Sequence, residues 1–125
     1  MASINLLPEK EFEITTNNGD VIKGQFGTWA LKRFCDVHKL SLREVGERFQ
    51  NPSISDAVDY IVYAIERSAR KAKLPVTITD FEVCDIIDQM GGMQSDDFSK
   101  LFNHSGDEQA ADEEKKTEKL TEPVS

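Results

Sequence analysis

The stretch from Ser53 to Lys73, SISDAVDYIVYAIERSARKAK, constrains the fold more than any other part of the chain. It lies between Pro52 and Leu74-Pro75, and a proline disfavours helical geometry at the residue before it. Between these breaks Ile54, Val58, Ile61, Val62, Ile65, Ala69 and Ala72 recur at helical spacing. Such a helix draws its stability from packing its apolar face, so the rest of the chain has to supply the elements that cover it.

Those elements are signalled locally. In EFEITTNNGDVIKGQF, Phe12 and Ile14 alternate with polar residues, Ile22 and Phe26 do so on the return, and Asn18-Gly19 suits a tight turn. This predicts an N-terminal hairpin, which alone is marginal in water and has to lie on helices. GTWALKRFCD opens a first helix whose stripe is Leu31, Phe34, Cys35 and His38. Ser41 with Glu44, and Thr79 with Glu82, form capping boxes, with Leu40/Val45 and Ile78/Val83 in staple positions. The helix from Asp80 carries Val83, Ile86, Ile87 and Met90 and stops at Gly91-Gly92. A last short helix, Ser95 to Phe102, returns Phe98, Leu101 and Phe102 to the core. The expectation is an α+β, mostly helical fold: a hairpin packed on four to five helices over residues 1–104. From 105 to 125 the chain has no aromatic residue and holds seven acidic and three lysine side chains, which predicts a disordered acidic tail.

Charge and composition narrow the function. A net charge of −8 argues against nucleic-acid phosphate as the main partner. No apolar run approaches the ~20 residues of a membrane span, and the start, MASINLLPEK, lacks the pattern of a signal peptide. Cys35 and Cys84, the two cysteines, sit in hydrophobic helical patterns and read as reduced core residues of a cytosolic protein. Cys35-x-x-His38 is the nearest approach to a metal motif, with Cys84 and His104 as distant candidates, but zinc sites pair two close ligand sets. Neither cysteine opens a helix, where its thiol would be activated, and Gly91-Gly92 follows a helix instead of preceding one. Asp80, Asp85 and Asp88 read as solvated surface acids. No catalytic residue, cofactor site or metal site is therefore expected. Residues 41–65 resemble a helix-turn-helix, yet the second helix opens with Ser55, Asp56 and Asp59, which phosphates repel. Arg67, Arg70, Lys71 and Lys73 complement a helix C-terminus and also suit an acidic partner segment.

A recurring misfit remains. Trp29, Tyr63 and Phe81 fall off the apolar stripes of their helices, and Tyr60 sits near a stripe's edge. Tyr63 shares its face with Asp56, Arg67 and Arg70, which predicts exposure. Trp29 lies in a first helical turn, where the preceding strand can fold over it. A helical body with spare aromatics and no catalytic constellation reads as a binding module, with Trp29, Tyr60, Tyr63 and Phe81 as candidate partner contacts.

The order of parts is similar to that of the tail assembly chaperones of long-tailed bacteriophages. It consists of a small hairpin, FGTWALKRFCDVHKLSLREV, the Tyr-bearing helix DAVDYIVYAIERSARKA, TDFEVCDIIDQM and a charged tail. The resemblance covers about residues 10 to 102 and rests on element order and helix texture. It implies a non-enzymatic protein of the host cytoplasm, absent from the mature virion, that binds the tape-measure protein and helps recruit tail-tube subunits. It also implies no cofactor, nucleic acid or membrane. The other reading of the same residues is a small helical adaptor or transcriptional regulator using 41–65.

Overall fold

In the hairpin, Thr16 and Gly19 close the turn: the Gly19 N–H donates to the Thr16 carbonyl at 2.9 Å and Gly19 takes φ 89°. That left-handed conformation is costly for a side chain and free for glycine. The strands on either side, β2 (Glu11–Thr15) and β3 (Val21–Gln25), pair antiparallel. A further strand, β1 (Ser3–Leu6), adds to the other edge of β2, so the expected hairpin is part of a three-stranded meander ordered β1-β2-β3. The sheet packs with five helices: α1 (Thr28–His38), α2 (Leu42–Gln50), α3 (Ile54–Lys71), α4 (Asp80–Gln89) and α5 (Asp96–Ser105). These come from a computed structural model that describes residues 2–105. The tail expected over 105–125 lies outside the described residues from 106 on, and Ser105 itself closes α5. Among the described residues no helix is long and apolar enough to cross a membrane.

The helix ends follow the local signals. Ser41 and Thr79 cap α2 and α4 with both halves of each capping box in place. A third box stands at α3, where Ser53 Oγ accepts from the Asp56 N–H at 3.0 Å and Asp56 Oδ2 accepts from the Ser53 N–H at 3.1 Å. The stripe residues Val58, Ile61, Ile65, Val83, Ile86, Ile87, Met90, Phe98 and Leu101 are buried as expected. Ile54 and Ala72 are not: they sit at the two ends of α3, beyond the elements that cover it, and Ile54 is 66% exposed.

The main correction concerns α3's other face. From Asp56 to Glu66 nearly every residue is buried, Tyr60 and Tyr63 included. Tyr63 was expected at the surface because its neighbours on the helix are charged. Among those neighbours Asp56 is instead answered from α2, and the acids flanking Tyr63 on the same helix are answered from α1. Arg48 Nε lies 3.1 Å from Asp56 Oδ2, His38 Nε2 3.1 Å from Asp59 Oδ2, and Arg33 Nε 3.3 Å from Glu66 Oε1. Tyr63 is enclosed between these pairs, with the Arg33 guanidinium 5.6 Å from its ring centroid and Phe34 edge-on at 6.2 Å. Positions 56, 59, 63 and 66 thus form a second packed face, which makes α3 the central helix of the body.

Two substitutions test this architecture. Phe12 lies directly across from Gly24 in the β2–β3 register, and a Cβ on Gly24 would fall within the Phe12 ring. Gly24→Ala is expected to destabilise the fold by about 1–3 kcal/mol in urea unfolding, because the core has to shift around the added methyl. Burial alone would raise the Asp56 pKa, but the Ser53 amide and the Arg48 guanidinium hold it below the ordinary carboxylate value. A lowered folded-state pKa contributes stability above the unfolded value and loses it as pH falls through the folded one. Asp56→Asn should therefore cost about 1–2 kcal/mol at neutral pH, and that deficit should shrink as unfolding is measured below about pH 4.

Candidate functional site

The chain turns sharply from β3 into α1 at Gly27, whose φ of 140° lies where side chains are disfavoured. The turn brings the first residues of α1 alongside α2. Leu42, Val45, Gly46 and Phe49 stand at i, i+3, i+4 and i+7 and so share one face of α2. Between that face and Trp29 and Leu31 of α1 runs an open groove of ≈ 980 Å³. Phe26 and Tyr60 contribute to its lining, and Glu9, Lys10, Gln25, Arg67 and Ser105 border it. Gly46 has nothing within 4 Å of where its Cβ would stand, so the groove is open above mid-α2.

Most of this lining is apolar, and part of it faces solvent. Leu42 is 69% exposed, and Trp29 is half-buried with the Arg70 guanidinium 5.6 Å from its ring centroid. Tyr60, by contrast, is anchored. It packs on Phe26 at 5.1 Å and Phe49 at 4.9 Å between centroids. Burial pushes its phenol up to about 12 even though the Gly27 backbone hydrogen-bonds it, so it stays neutral at working pH. The border is cationic: Lys10, Lys32 and Arg67 outnumber Glu9. The Lys10 ammonium donates to the Ser105 carbonyl at 3.2 Å, and Lys32 meets Asp36 at 2.7 Å. Two buried polar atoms of the border have no hydrogen-bond partner among the described residues, Gln25 Oε1 and Arg67 Nη1.

The structure separates the four candidate contact residues. Trp29 and Tyr60 line the same groove, Trp29 at an accessible wall and Tyr60 deep within it. Tyr63 is buried under α1, which removes it from any surface. Phe81 is 79% exposed in the first turn of α4 and does not line the groove. Leu42, Gly46 and Gln25 were not singled out as contact residues from sequence, and Arg67 was read only as part of the basic cluster at the end of its helix. The Leu42/Val45/Phe49 spacing was the available signal for the first two, while Gln25 and Arg67 join the site only through long-range packing.

The cysteine and histidine side chains go elsewhere. His38 stacks on Phe34 at 4.1 Å and points Nε2 at Asp59. Burial, then the neighbouring Asp36 charge, pushes the Cys35 thiol up, which disfavours the reactive thiolate. Cys84, expected in the core, is instead exposed on α4, on the side away from Val83, Ile86 and Ile87, and His104 Nε2 lies 3.0 Å from the carbonyls of both Leu7 and Glu11. Among the described residues no group of three or more His, Cys, Asp or Glu is placed to hold a metal ion. The helix pair of 41–65 is present as α2 and α3, but α3 is buried from Asp56 to Glu66, whereas a recognition helix lays exposed side chains in a groove of DNA.

No protein-family model, no curated protein and no solved structure matches the chain.

Because Gly46 is a mid-helix glycine with open space above it, Gly46→Ala is expected to raise stability by about 0.5–1 kcal/mol in thermal unfolding. Trp29→Ala should cost well under the about 3–5 kcal/mol of a fully buried ring, since one face of Trp29 already meets solvent.

Proposed function

We propose that the protein is a non-enzymatic tail assembly chaperone that holds an amphipathic segment of a tape-measure protein in the groove between α1 and α2. The carrying observation is that groove, apolar along Trp29, Leu31, Leu42 and Phe49 and open to solvent. An amphipathic helix lays apolar side chains at i, i+3, i+4 and i+7 into such a groove, which is how many helical clients are recognised. An apolar groove on a chain of net charge −8 combines reversible client contact with a solubilising surface. The order of hairpin, helices and charged C-terminal stretch resembles that family, and with it come recruitment of tail-tube subunits and a place in the host cytoplasm. Phe81, exposed on α4 away from the groove, offers a separate contact for such a second partner.

Co-expression is the direct test. The protein should keep a tape-measure protein soluble and co-purify with it. Gly46→Leu, which fills the groove from a helix position with room for a side chain, should weaken the complex at least about tenfold while leaving the thermal midpoint within a few degrees. A tape-measure protein that stays insoluble and unbound in the presence of the wild-type chain sinks the reading.

A further inference from the structure

Three of the eight exposed large hydrophobic side chains among the described residues fall within residues 74–81: Leu74, Val76 and Phe81. Phe81 is the most exposed of the eight, at 79%. It stands in the first turn of α4, with Cys84, Asp85 and Asp88 at i+3, i+4 and i+7. Those four positions share one side of the helix and all are exposed, while Val83, Ile86 and Ile87 turn to the core. The open side of α4 therefore presents an aromatic ring, a thiol and two carboxylates along about 10 Å of helix.

The fold accounts for only some of the acids here. Asp80 and Glu82, in the first turn, complement the positive end of the helix dipole, and Glu82 also completes the capping box. Asp88 lies in the last turn, at the negative end, and no basic residue accompanies it there. Neither Asp85 nor Asp88 has an ion-pair partner among the described residues. Asp85 accepts a hydrogen bond from the Gln89 amide at 3.2 Å, which leaves its charge unanswered. From Leu74 to Ser99 the chain holds six carboxylates and no lysine or arginine, so nothing close in sequence supplies the cations.

The exposed ring marks the surface, and the charges beside it specify what fits. A second copy of this side, a nucleic acid or an anionic membrane would bring like charge against Asp85 and Asp88. A polypeptide helix with cations one turn apart and an apolar side chain beside them meets both the carboxylates and the ring. Arginine suits both tasks, because its guanidinium pairs with a carboxylate through two N–H groups and also packs on an aromatic face.

We propose that the open side of α4, Phe81 with Asp85 and Asp88, docks a basic amphipathic helix of a partner protein. This rests on Phe81 as the second contact described above, specifies the chemistry of that partner, and is independent of the α1–α2 groove.

Cys84 reports occupancy of this side, because it is exposed between Phe81 and Asp85. The measurement is its alkylation rate in the full-length protein, read by mass spectrometry alongside Cys35. The probes are two synthetic helical peptides with identical leucine positions, one with arginine and one with glutamate in pairs one turn apart. The arginine peptide is expected to protect Cys84 at concentrations at least about tenfold lower than the glutamate peptide. Phe81→Ser, and Asp85→Asn with Asp88→Asn, should each weaken the arginine peptide at least about tenfold. Asp20→Asn with Glu47→Gln removes the same charge from other exposed positions and should change its affinity by less than about twofold. Equal protection by both peptides, or equal weakening by that control pair, overturns the inference. So does unchanged binding in Phe81→Ser, or Cys84 alkylation that slows with protein concentration alone, which assigns this side to a second copy. Trp29 is the chain's only tryptophan and lines the groove, so its emission reports that site separately. A Trp29 response without Cys84 protection overturns this inference and leaves the groove reading standing. The comparison of the two peptides on the wild-type protein decides the matter even if a variant fails to fold.

Discussion

Three carboxylates on α3 lie against α1 and α2, and the two buried ones, Asp56 and Glu66, are each met by an arginine. Asp56 meets Arg48, Asp59 meets His38 and Glu66 meets Arg33. Leaving Asp56 or Glu66 buried and unpaired would cost more than the pair itself contributes, so these contacts specify where α1 and α2 lie more than they add net stability. With both helices held across the second face of α3, Tyr63 is enclosed and Tyr60 becomes the common neighbour of sheet and helices.

The interior around the groove is built largely from rings. Phe12 packs on Phe26, Phe26 on Tyr60, Tyr60 on Phe49, and Phe49 on both Phe34 and Phe102, with centroids 4.9 to 6.1 Å apart. This series joins the sheet to α1, α2, α3 and α5, and several of the same rings line the groove. The far border is the corner between β1 and β2, where Glu9 and Lys10 both take left-handed backbone angles, φ 61° and 63°. Such conformations cost energy without glycine and persist where surroundings enforce them. Here the Leu7 amide bonds the Glu11 carbonyl, the Phe26 amide bonds the Lys10 carbonyl, and Lys10 reaches Ser105 at the end of α5. A rigid core and a pinned corner therefore flank a groove whose exposed wall, Leu42 and Trp29, is free to meet a partner.

That division suits binding better than chemistry. The groove offers apolar surface beside a polar and charged border, which is the kind of contact a polypeptide segment makes. Cys35 and His38, the pair that most suggests chemistry in the sequence, are occupied in packing and in a hydrogen-bonding contact of His38 with Asp59. The proposed chaperone role rests on that groove together with the resemblance in element order.

Much of the fold was legible because its signals are local. Capping boxes close within a span of four residues, the Asn18-Gly19 turn closes within its own hairpin, and an apolar stripe reports which helix face is covered whatever covers it. The first strand was missed because Ser3–Leu6 is short, and only its pairing with β2 gives it a register. The candidate site was half legible. Helical phase picked out Trp29 and Tyr60, which share the groove, but also Tyr63, which α1 covers, and Phe81, which stands apart. A charged helix face looks the same in sequence whether water or opposite charges await it. Asp59 and Glu66 are answered from 21 and 33 residues away, by His38 and Arg33. The sequence by itself determined where the helices begin and end and which stripe each must bury, because bonds and packing along one element decide those. Only the tertiary structure decided that α3 is buried on a second face and that a groove opens between α1 and α2, because both depend on side chains brought together from distant parts of the chain.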